Sequence, residues 1–555
     1  MLADVPPPSD GAIPRSIQRG QHEHTHAGRH RDRRPRAEAD PVGVTPPRSF
    51  AEAVELRARR DPDGELIRRF GGPAVSAGAL LDRALATAGR LAALVGPGDT
   101  VATAVPAGPE AAALTTAISW LGAVELPVPD GLDPLLAGAL AHATRCVTTV
   151  ASPDRLDAEP HLATLGQHTT HPVTTVEGRR AGIPSLEELP SRPTPGHRAE
   201  LDAPSAVMVT SGTGGRPKGA LLPNSSGLGQ AERVRRAMDY DSHDVLFNVF
   251  PWQHINVRHA AFLPAVLSGA RVVVGPFSAS RFWTTAADEQ VTAFNFMGAL
   301  CAMLLRQPAS PDDHAHRVRQ AYGGPAPDWL HQQVSERFGV ELRQAYACTE
   351  LGDVATTGRE ARPGWAGTVV PEYDVRVVDE HGVPVPDGSI GTVHVRPRRP
   401  GLTFTEYVGD AAATAAAWRD GWFVTGDRGR LDDGWISHEG RAADVIRRRG
   451  VTIDAERVAQ AALSYADVEE AAAVGVPSEL TDDEVLLVVV TRPGVDLDPA
   501  ELRRHCATRL PRHSVPRFVS VETSLPRTGS HKIVHRTLRD RGLPPSAWDA
   551  DAPTP

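Results

Sequence analysis

Apolar residues recur at helical spacing in the first part of the chain. Between residues 80 and 94 they return every three or four positions, which predicts an amphipathic helix. Residues 101–105 and 124–128 are short apolar runs that predict buried strands, with a helix between them at 111–121. Alternation of this kind continues to about residue 400 and favours an α/β architecture with buried parallel strands.

The pattern changes after Gly440. An arginine run precedes a shorter module, whose apolar periodicity predicts helices at 456–463 and 499–509 and strands at 471–476 and 484–490. The prediction is therefore a large, multi-lobed N-terminal α/β domain followed by a small C-terminal α+β domain. The expected segments are a disordered tail at 1–46, the large domain at 47–440, a boundary at 441–444, the small domain at 445–541 and a tail at 542–555.

Composition limits the classes of function. The 555 residues carry a formal net charge of −9, which argues against a nucleic-acid partner because phosphate binding needs a concentrated basic face. No run reaches about 18 apolar residues, so no membrane span is predicted. The four cysteines lie far apart without a C-x-x-C pair, which disfavours disulfides and zinc and fits a reducing cytoplasm.

Lysine is scarce in this chain. Of 59 basic residues only Lys218 and Lys532 are lysines, so arginine supplies the positive charge everywhere else. A lysine retained against this bias is a candidate for chemistry that needs a compact, flexible point charge rather than the rigid fork of arginine. The two lysines therefore mark two segments of interest.

The first segment is a loop rich in Gly, Ser and Thr, which follows an apolar run at 206–209 and ends at Lys218. Glycines let backbone N–H groups approach a polyphosphate, while hydroxyls and the lysine add donors and charge. The loop does not match the Walker A spacing, and an ordinary surface turn is the alternative. Lys532 lies in a polar segment at 526–533, where a solvated charge is the alternative.

Five motifs follow one another in an order typical of a single enzyme family. The first is the loop at 210–219. The family motif Y-G-x-T-E is matched by Tyr346-Ala-Cys-Thr-Glu350, and G-W-x-x-T-G-D by Gly421-Trp-Phe-Val-Thr-Gly-Asp427. The motif G-R-x-x-D-x-I-K is matched by Gly440-Arg-Ala-Ala-Asp-Val-Ile-Arg447, and P-R-T-x-S-G-K-I by Pro526-Arg-Thr-Gly-Ser-His-Lys532-Ile. Over roughly residues 50–540 the chain resembles the adenylate-forming superfamily of acyl-CoA synthetases, adenylation domains and beetle luciferases.

The resemblance implies an activity, cofactors and partners. The chain is expected to activate a small-molecule acid as its acyl-adenylate with ATP and Mg²⁺ and to release pyrophosphate. Transfer of the acyl group to coenzyme A or another thiol is then expected, and a carrier protein is a further candidate acceptor. The small domain is expected to be mobile about a hinge at 441–444.

The resemblance also assigns roles to residues of the nucleotide site. Lys532 is expected to bridge the acid oxygen and the α-phosphate, Thr349 to contact the α-phosphate, and Glu350 to hold Mg²⁺. Asp427 is expected to accept the ribose hydroxyls with help from Arg441. The residues expected to bind the ATP phosphates are Ser211, Gly212, Thr213 and Lys218. The residues expected to bind the adenine are Gly323, Gly324 and Tyr346.

The acid pocket is expected on two further segments. His254, which is also a catalytic candidate, and Asn256 match acid-pocket positions, although a single histidine is usually structural. Phe296, Met297 and Gly298 are expected to form another wall. No aspartate stands where amino-acid-activating relatives carry one, so an α-amino acid is disfavoured. The stretch at 282–304 resembles the carnitine and crotonobetaine CoA ligase branch.

Several alternatives stay open. Ala443 occupies the hinge position that usually carries Asp or Lys, and this keeps a non-thiol acceptor in consideration. One alternative is an adenylating enzyme of specialised metabolism that acts on an unusual acid, such as an amino-aryl acid or an inorganic oxyanion. Another is a luciferase-like oxygenase, and a third is a nucleotide-binding protein with weak catalysis.

Overall fold

The computed structural model describes most of the chain from residue 46 onward. The described residues are 46–168, 174–176, 178, 180–194, 196, 199–210, 217–358, 360–449, 451–478, 482–527 and 533–552. The tail predicted at 1–46 lies outside this range except for its last residue. Among the described residues, no helix is long and apolar enough to cross a membrane.

A mixed sheet of eleven strands in the described residues forms the centre of the large domain. Its inner strands are parallel and carry apolar residues on both faces, since Val272 and Val274 face one core cluster while Val273 faces another. In spatial order the strands are Val75–Ser76, Glu65–Arg69, Arg271–Val274, Val245–Asn248, Ala293–Phe296, Gln320–Gly323, Glu341–Cys348, Gly352–Thr356, Gly367–Val369, Trp435–Ile436 and Leu431–Asp432.

A second sheet, seven-stranded in the described residues, holds the predicted phosphate loop. The strands predicted at 101–105 and 124–128 form here, and they pair in parallel. In spatial order the strands are Glu406–Tyr407, Lys218–Pro223, Pro204–Thr210, Val124–Pro127, Thr100–Ala104, Cys146–Ala151 and Thr174–Thr175. A smaller antiparallel sheet contains Tyr373–Val378, Gly391–Pro397, Trp422–Gly429 and Trp418–Arg419.

Helices cover the sheets, and several begin at a polar cap. The Ser49 hydroxyl accepts from the backbone N–H of Glu52 (3.1 Å), and Asp454 caps the helix after it in the same way. The helices of the large domain are Phe50–Arg60, Ala77–Leu91, Pro109–Trp120, Pro134–Ala143, Pro153–Ala158, Asn224–Met238, Ile255–Val257, Leu263–Ser268, Phe282–Asp288, Gly298–Leu305, Asp328–Phe338 and Ala411–Ala416. A π-helical turn, Arg258–Phe262, joins two of them.

The small domain is an α+β unit, as predicted. Its helices are Ala455–Leu463, Pro499–Ala507 and His535–Arg541, and Ile446–Arg448 pairs with Val451–Ile453. Its main sheet contains Val468–Pro477, Asp483–Thr491, Phe518–Glu522 and Trp548–Asp549.

Two expectations for the small domain need correction. The sequence pattern predicts strands only at 471–476 and 484–490, yet Phe518–Glu522 is a further strand that pairs in parallel with Asp483–Thr491. The tail expected from residue 542 begins too early, because Trp548 and Asp549 extend the same sheet. Asp549 accepts two hydrogen bonds of 2.9 Å from Arg517, a contact between residues too distant in sequence for local patterns to reveal.

Trp548→Ala tests whether this last strand belongs to the domain. The indole packs on the small-domain core, so we expect the free energy of unfolding to fall by about 1–3 kcal/mol. Thermal melting of the variant would measure this. A chain that ends after Ala552 is the control and should melt like the parent, and an unchanged melting temperature for Trp548→Ala would contradict the assignment.

Candidate active site

The structure describes the ends of the two segments that contain Lys218 and Lys532, but not the centre of either segment. Thr210 pairs with Lys218 across an antiparallel hairpin, so the two ends of the predicted phosphate loop lie side by side. Ser211, Gly212 and Thr213 lie outside the described residues. The same holds for Lys532, whose segment is bracketed by a bridge between Arg527 and Ile533.

Asp427 lies buried among three polar side chains. The Tyr346 hydroxyl donates to Asp427 Oδ2 at 2.7 Å, and Arg441 Nε lies 2.7 Å from Asp427 Oδ1. His438 Nε2 lies 3.8 Å from the same Oδ1. The predicted adenine and ribose residues therefore meet in one cluster, although Tyr346 and Asp427 are 81 positions apart in the chain.

The cluster favours the charged forms of its acid and of its histidine. Burial raises the pKa of Asp427, but the nearby His438 and the charge of Arg441 outweigh it and leave this pKa lowered. Burial lowers the pKa of His438, yet its contact with the Asp427 carboxylate and the charge of that group outweigh this and leave the pKa raised. The Asp427 carboxylate is therefore ionised and able to accept further hydrogen bonds.

Glu350 and Lys218 meet through a tyrosine. The Tyr407 hydroxyl donates to Glu350 Oε1 at 2.7 Å, and Lys218 Nζ lies 4.6 Å from the centroid of the Tyr407 ring. Burial, followed by the charge of Glu350, raises the pKa of Tyr407 far above its usual range, so the hydroxyl stays a donor. The loop lysine and the acid predicted to hold Mg²⁺ therefore share one neighbour.

The surroundings of Glu350 fit a divalent cation. Its side chain is buried, and no described residue forms an ion pair with it. A buried carboxylate without a cation is costly, so a metal ion would complete the site. No group of three or more acidic, histidine or cysteine residues that could hold a metal occurs in the described part of the chain. One carboxylate together with substrate phosphates is nevertheless the usual arrangement for Mg²⁺.

The two carboxylate clusters are neighbours. Burial raises the pKa of the Cys348 thiol, and the charges of Glu350 and Asp427 raise it further, so both acids lie within electrostatic reach of this one side chain. Thr349, the next residue, is half-buried between the strand that carries Tyr346 and the turn that carries Glu350. The Tyr346–Glu350 motif therefore joins the residues predicted to bind the nucleotide to the residue predicted to hold the metal.

Backbone packing explains the glycines next to the site. A Cβ at Gly323 would lie 1.9 Å from the carbonyl oxygen of Phe296, and a Cβ at Gly298 would lie 2.6 Å from that of Pro325. Gly324 has φ +145°, a conformation that L side chains rarely adopt. The ends of two neighbouring strands thus come close only because these residues are glycine. The side chain of Phe296 is fully buried in the core, whereas Met297 is half-buried.

His254 and Asn256 lie at the start of a short helix. His254 Nδ1 accepts from the Asn256 backbone N–H at 3.1 Å, and Asn256 Oδ1 accepts from Asn248 at 2.9 Å. Asn295 donates to the backbone oxygen of Ala260 at 3.1 Å, which fixes this segment to the strand that ends at Phe296. The two predicted walls of the acid pocket are therefore joined by asparagine side chains.

Two residues of the site were missed in the sequence. Tyr407 lies in a two-residue strand, Glu406–Tyr407, that pairs with residues 220 and 221 next to Lys218. No local pattern marks a contact across that distance. His438 stands three positions before Arg441, and its proximity to a predicted ribose residue was the only available signal.

The chain matches two family descriptions in tandem. Residues 54–405 match the AMP-binding enzyme family and residues 457–532 match the AMP-binding enzyme C-terminal domain. The chain belongs to the AMP-binding enzyme family. It is accordingly an AMP-forming ligase that activates an acid with ATP and Mg²⁺, and it combines a large N-terminal with a smaller C-terminal domain.

Curated relatives of this AMP-binding enzyme are coenzyme A ligases. The sulfoacetate–CoA ligase of Cupriavidus necator is 31% identical over 502 residues, which cover 87% of this chain and 96% of that protein. The crotonobetaine/carnitine–CoA ligase of Salmonella heidelberg is 29% identical over 350 residues, which cover 61% and 67%. The predicted resemblance to the carnitine branch is confirmed as one of several similarities.

Solved structures share the fold of this AMP-binding enzyme. The anthranilate CoA ligase AuaEII in complex with anthranoyl-AMP superposes with a TM-score of 0.82 at 19% identity, covering 90% of this chain and 98% of the other. ATP-bound MatB from Rhodopseudomonas palustris gives 0.78 at 23% identity, covering 88% and 98%. At this identity the likeness establishes the architecture alone.

His438→Gln tests the charge pair with Asp427. A raised pKa means that charged His438 stabilises the fold below its unfolded value of about 6.5, and that this contribution is lost as the pH rises through the folded value. We therefore expect the variant to melt below the parent at about pH 6 and close to it at about pH 9. His381→Gln, at an exposed position, is the control. Equal destabilisation at both pH values would refute the pair.

Proposed function

We propose that Glu350, Asp427 and the two lysines form the adenylation site of an acid–coenzyme A ligase. The observation that carries this proposal is a pair of buried carboxylates that each accept a hydrogen bond from a tyrosine, with Arg441 paired to Asp427 and Lys218 over the ring of the tyrosine that bonds Glu350. One carboxylate suits the ribose hydroxyls and the other suits the metal on the phosphates. The comparisons support the activity, and the residue roles are our assignment.

The proposed reaction proceeds in two steps, adenylation of the acid and transfer of the acyl group. A carboxylate oxygen of the acid attacks the α-phosphorus of ATP, and the bond to the bridging oxygen breaks as pyrophosphate leaves. The thiolate of coenzyme A then attacks the acyl carbon, and AMP leaves. Because the first step brings two anions together, cations and oriented donors have to neutralise the approach.

Each side chain then has a distinct task. Tyr346 provides a flat surface for the adenine, with Gly323 and Gly324 beside it, while Asp427 accepts the ribose hydroxyls and Arg441 orients that carboxylate. Lys218 supplies charge to the phosphates together with Ser211, Gly212 and Thr213. Glu350 would hold Mg²⁺, which supplies charge to the phosphates when bound. Thr349 donates to the α-phosphate, and Lys532 bridges it to the acid.

We assign a role in the second step, the transfer of the acyl group, to the segment that connects the two domains. Residues Ala442–Asp444 form a single helical turn, and Asp444 lies 3.5 Å from Arg539 of the small domain. Rotation about this turn would remove Lys532 from the site and admit the thiol. The hinge at 441–444 and the pivot at Ala443 are parts of the proposal.

For the acid and for its acceptor, the proposal names a class of compound rather than a single molecule. His254, Asn256, Met297 and Gly298 are proposed to surround a small acid, while Phe296 supports this wall from the core. Coenzyme A is the proposed acceptor because the relatives are coenzyme A ligases. A carrier protein is the second candidate acceptor. All four cysteines are free thiols, which supports a cytoplasmic location.

Separate assays of the two half-reactions test the site. Lys532→Ala should slow pyrophosphate release about 10²–10³-fold and leave ATP binding unchanged, because one preorganised donor is lost. Ala443→Pro should keep adenylation and lose transfer to coenzyme A, because proline stiffens the turn. Equal damage to both half-reactions in both variants would contradict the division of labour. Release of ADP rather than pyrophosphate by the parent would contradict adenylation itself.

Tyr407→Phe tests the link between Glu350 and Lys218. It removes the hydroxyl that donates to Glu350 but keeps the ring under Lys218, so the Mg²⁺ concentration for half-maximal rate should rise about tenfold or more. Tyr407→Leu removes both contacts and should also raise the KM for ATP. Tyr373→Phe is the matched control, because the Tyr373 hydroxyl bonds backbone oxygens only. An unchanged Mg²⁺ requirement in Tyr407→Phe would refute the link.

A further inference from the structure

His438 and Asp427 lie opposite each other at the predicted ribose site without a direct hydrogen bond. His438 Nε2 lies 3.8 Å from Asp427 Oδ1, which is beyond hydrogen-bonding distance. Asp427 Oδ1 is buried and accepts no hydrogen bond from any described residue, because Arg441 Nε approaches it at 2.7 Å as a charge, without hydrogen-bond geometry. The side chain of Asp427 is 5% exposed and that of His438 is 26% exposed. A buried acceptor therefore lies next to a partly open ring.

The His438 ring also lies beside the tyrosine that is predicted to carry the adenine. The centroids of the His438 and Tyr346 rings are 6.0 Å apart, at an interplanar angle of 35°. The Tyr346 hydroxyl donates to Asp427 Oδ2, so Oδ1 is the carboxylate oxygen that is left for a ligand. Because the ribose of a nucleotide is attached to its base, a nucleotide stacked on Tyr346 brings its ribose to this carboxylate and to His438.

The backbone holds His438 in this position. The segment around it runs antiparallel to the strand that carries Asp427: Ser437 N donates to Arg430 O at 3.0 Å, and Glu439 N donates to Arg428 O at 2.7 Å. A bridge between Asp427 and Arg441 continues the same pairing. His438 is therefore held beside Asp427 by the backbone and does not depend on a bond between the two side chains.

The two groups have complementary hydrogen-bonding needs. Burial lowers the pKa of His438, but the nearby Asp427 carboxylate outweighs burial and leaves the pKa raised, which favours the ring with hydrogens on both nitrogens. Nε2 is then a donor that needs an acceptor, while Asp427 Oδ1 is an acceptor that needs a donor. An ionised phosphate or carboxylate cannot donate, and an ammonium group cannot accept. A hydroxyl group does both, and its oxygen can lie within hydrogen-bonding distance of two atoms that are 3.8 Å apart.

We propose that His438 is a nucleotide-binding residue, which donates from Nε2 to the same ribose hydroxyl that donates to Asp427 Oδ1. The inference rests on the adenylation function proposed above and adds a ribose contact to that site. It assigns to His438 a part in the discrimination between a ribonucleotide and a deoxyribonucleotide.

Nucleotides that lack one hydroxyl test this contact. Calorimetry measures the affinity of the parent and of His438→Leu for ATP, 2′-deoxy-ATP and 3′-deoxy-ATP, without an acid. We expect His438→Leu to bind ATP about tenfold more weakly, because a charge-assisted hydrogen bond is lost. For at least one deoxynucleotide, the one without the bridged hydroxyl, the two proteins should bind within about twofold of each other. Equal weakening for all three nucleotides, or weakening for none, would overturn the proposal.

Two further variants complete the test. His438→Gln keeps an N–H donor without a charge, so it should bind ATP more tightly than His438→Leu, and equal affinities would contradict a hydrogen bond from this position. His381→Leu, in an exposed turn, is the matched control and should bind all three nucleotides like the parent. Each ratio of affinities is taken within one protein, so a smaller folded fraction in a variant does not change it.

The two proposals fail in different ways. Asp427→Ala should weaken ATP binding and remove the discrimination among the three nucleotides. If Asp427→Ala binds ATP like the parent, the ribose site and with it the adenylation assignment fail. If Asp427→Ala weakens ATP binding but the effect of His438→Leu is the same with and without each hydroxyl, the adenylation assignment stands and the His438 assignment fails.

Discussion

The carboxylate of Asp427 lies buried among Tyr346, His438 and Arg441, and these partners come from separate parts of the chain. Tyr346 belongs to the main sheet, Asp427 to the smaller antiparallel sheet, and Arg441 to the connection that leads into the small domain. A buried carboxylate is tolerated only when it is paired and hydrogen-bonded. This requirement fixes the position of the sheets relative to one another and to the start of the connection.

The environment of Glu350 resembles that of Asp427 but differs in its charge balance. It is also buried and also accepts a hydrogen bond from a tyrosine, Tyr407, but it lacks a cationic partner among the described residues. The contrast gives the two acids different chemistry. Asp427 is already stabilised by Arg441 and, in the proposed function, would accept neutral hydroxyls, whereas Glu350 would take a metal ion. Lys218 Nζ lies over the ring of the same tyrosine.

The buried Arg258–Glu125 pair follows the same rule, because each charge is balanced by the other. Two nitrogens of Arg258 have no hydrogen-bond partner in the described part of the chain. Relatives named for sulfoacetate, carnitine and anthranilate show that one fold accommodates very different acids.

Local signals in the sequence determined the α/β class, the two-domain order and the motif positions. Apolar periodicity reports which face of an element is buried, and lysine scarcity singled out Lys218 before any family was considered. Tertiary structure alone decided which distant residues meet. Tyr407 reaches Glu350 across 57 positions, and Arg258 reaches Glu125 across 133. The strand at Trp548–Asp549 likewise exists only because Phe518–Glu522 offers it an edge. Such pairings depend on how whole sheets pack, and that packing cannot be inferred from the spacing of residues along the chain.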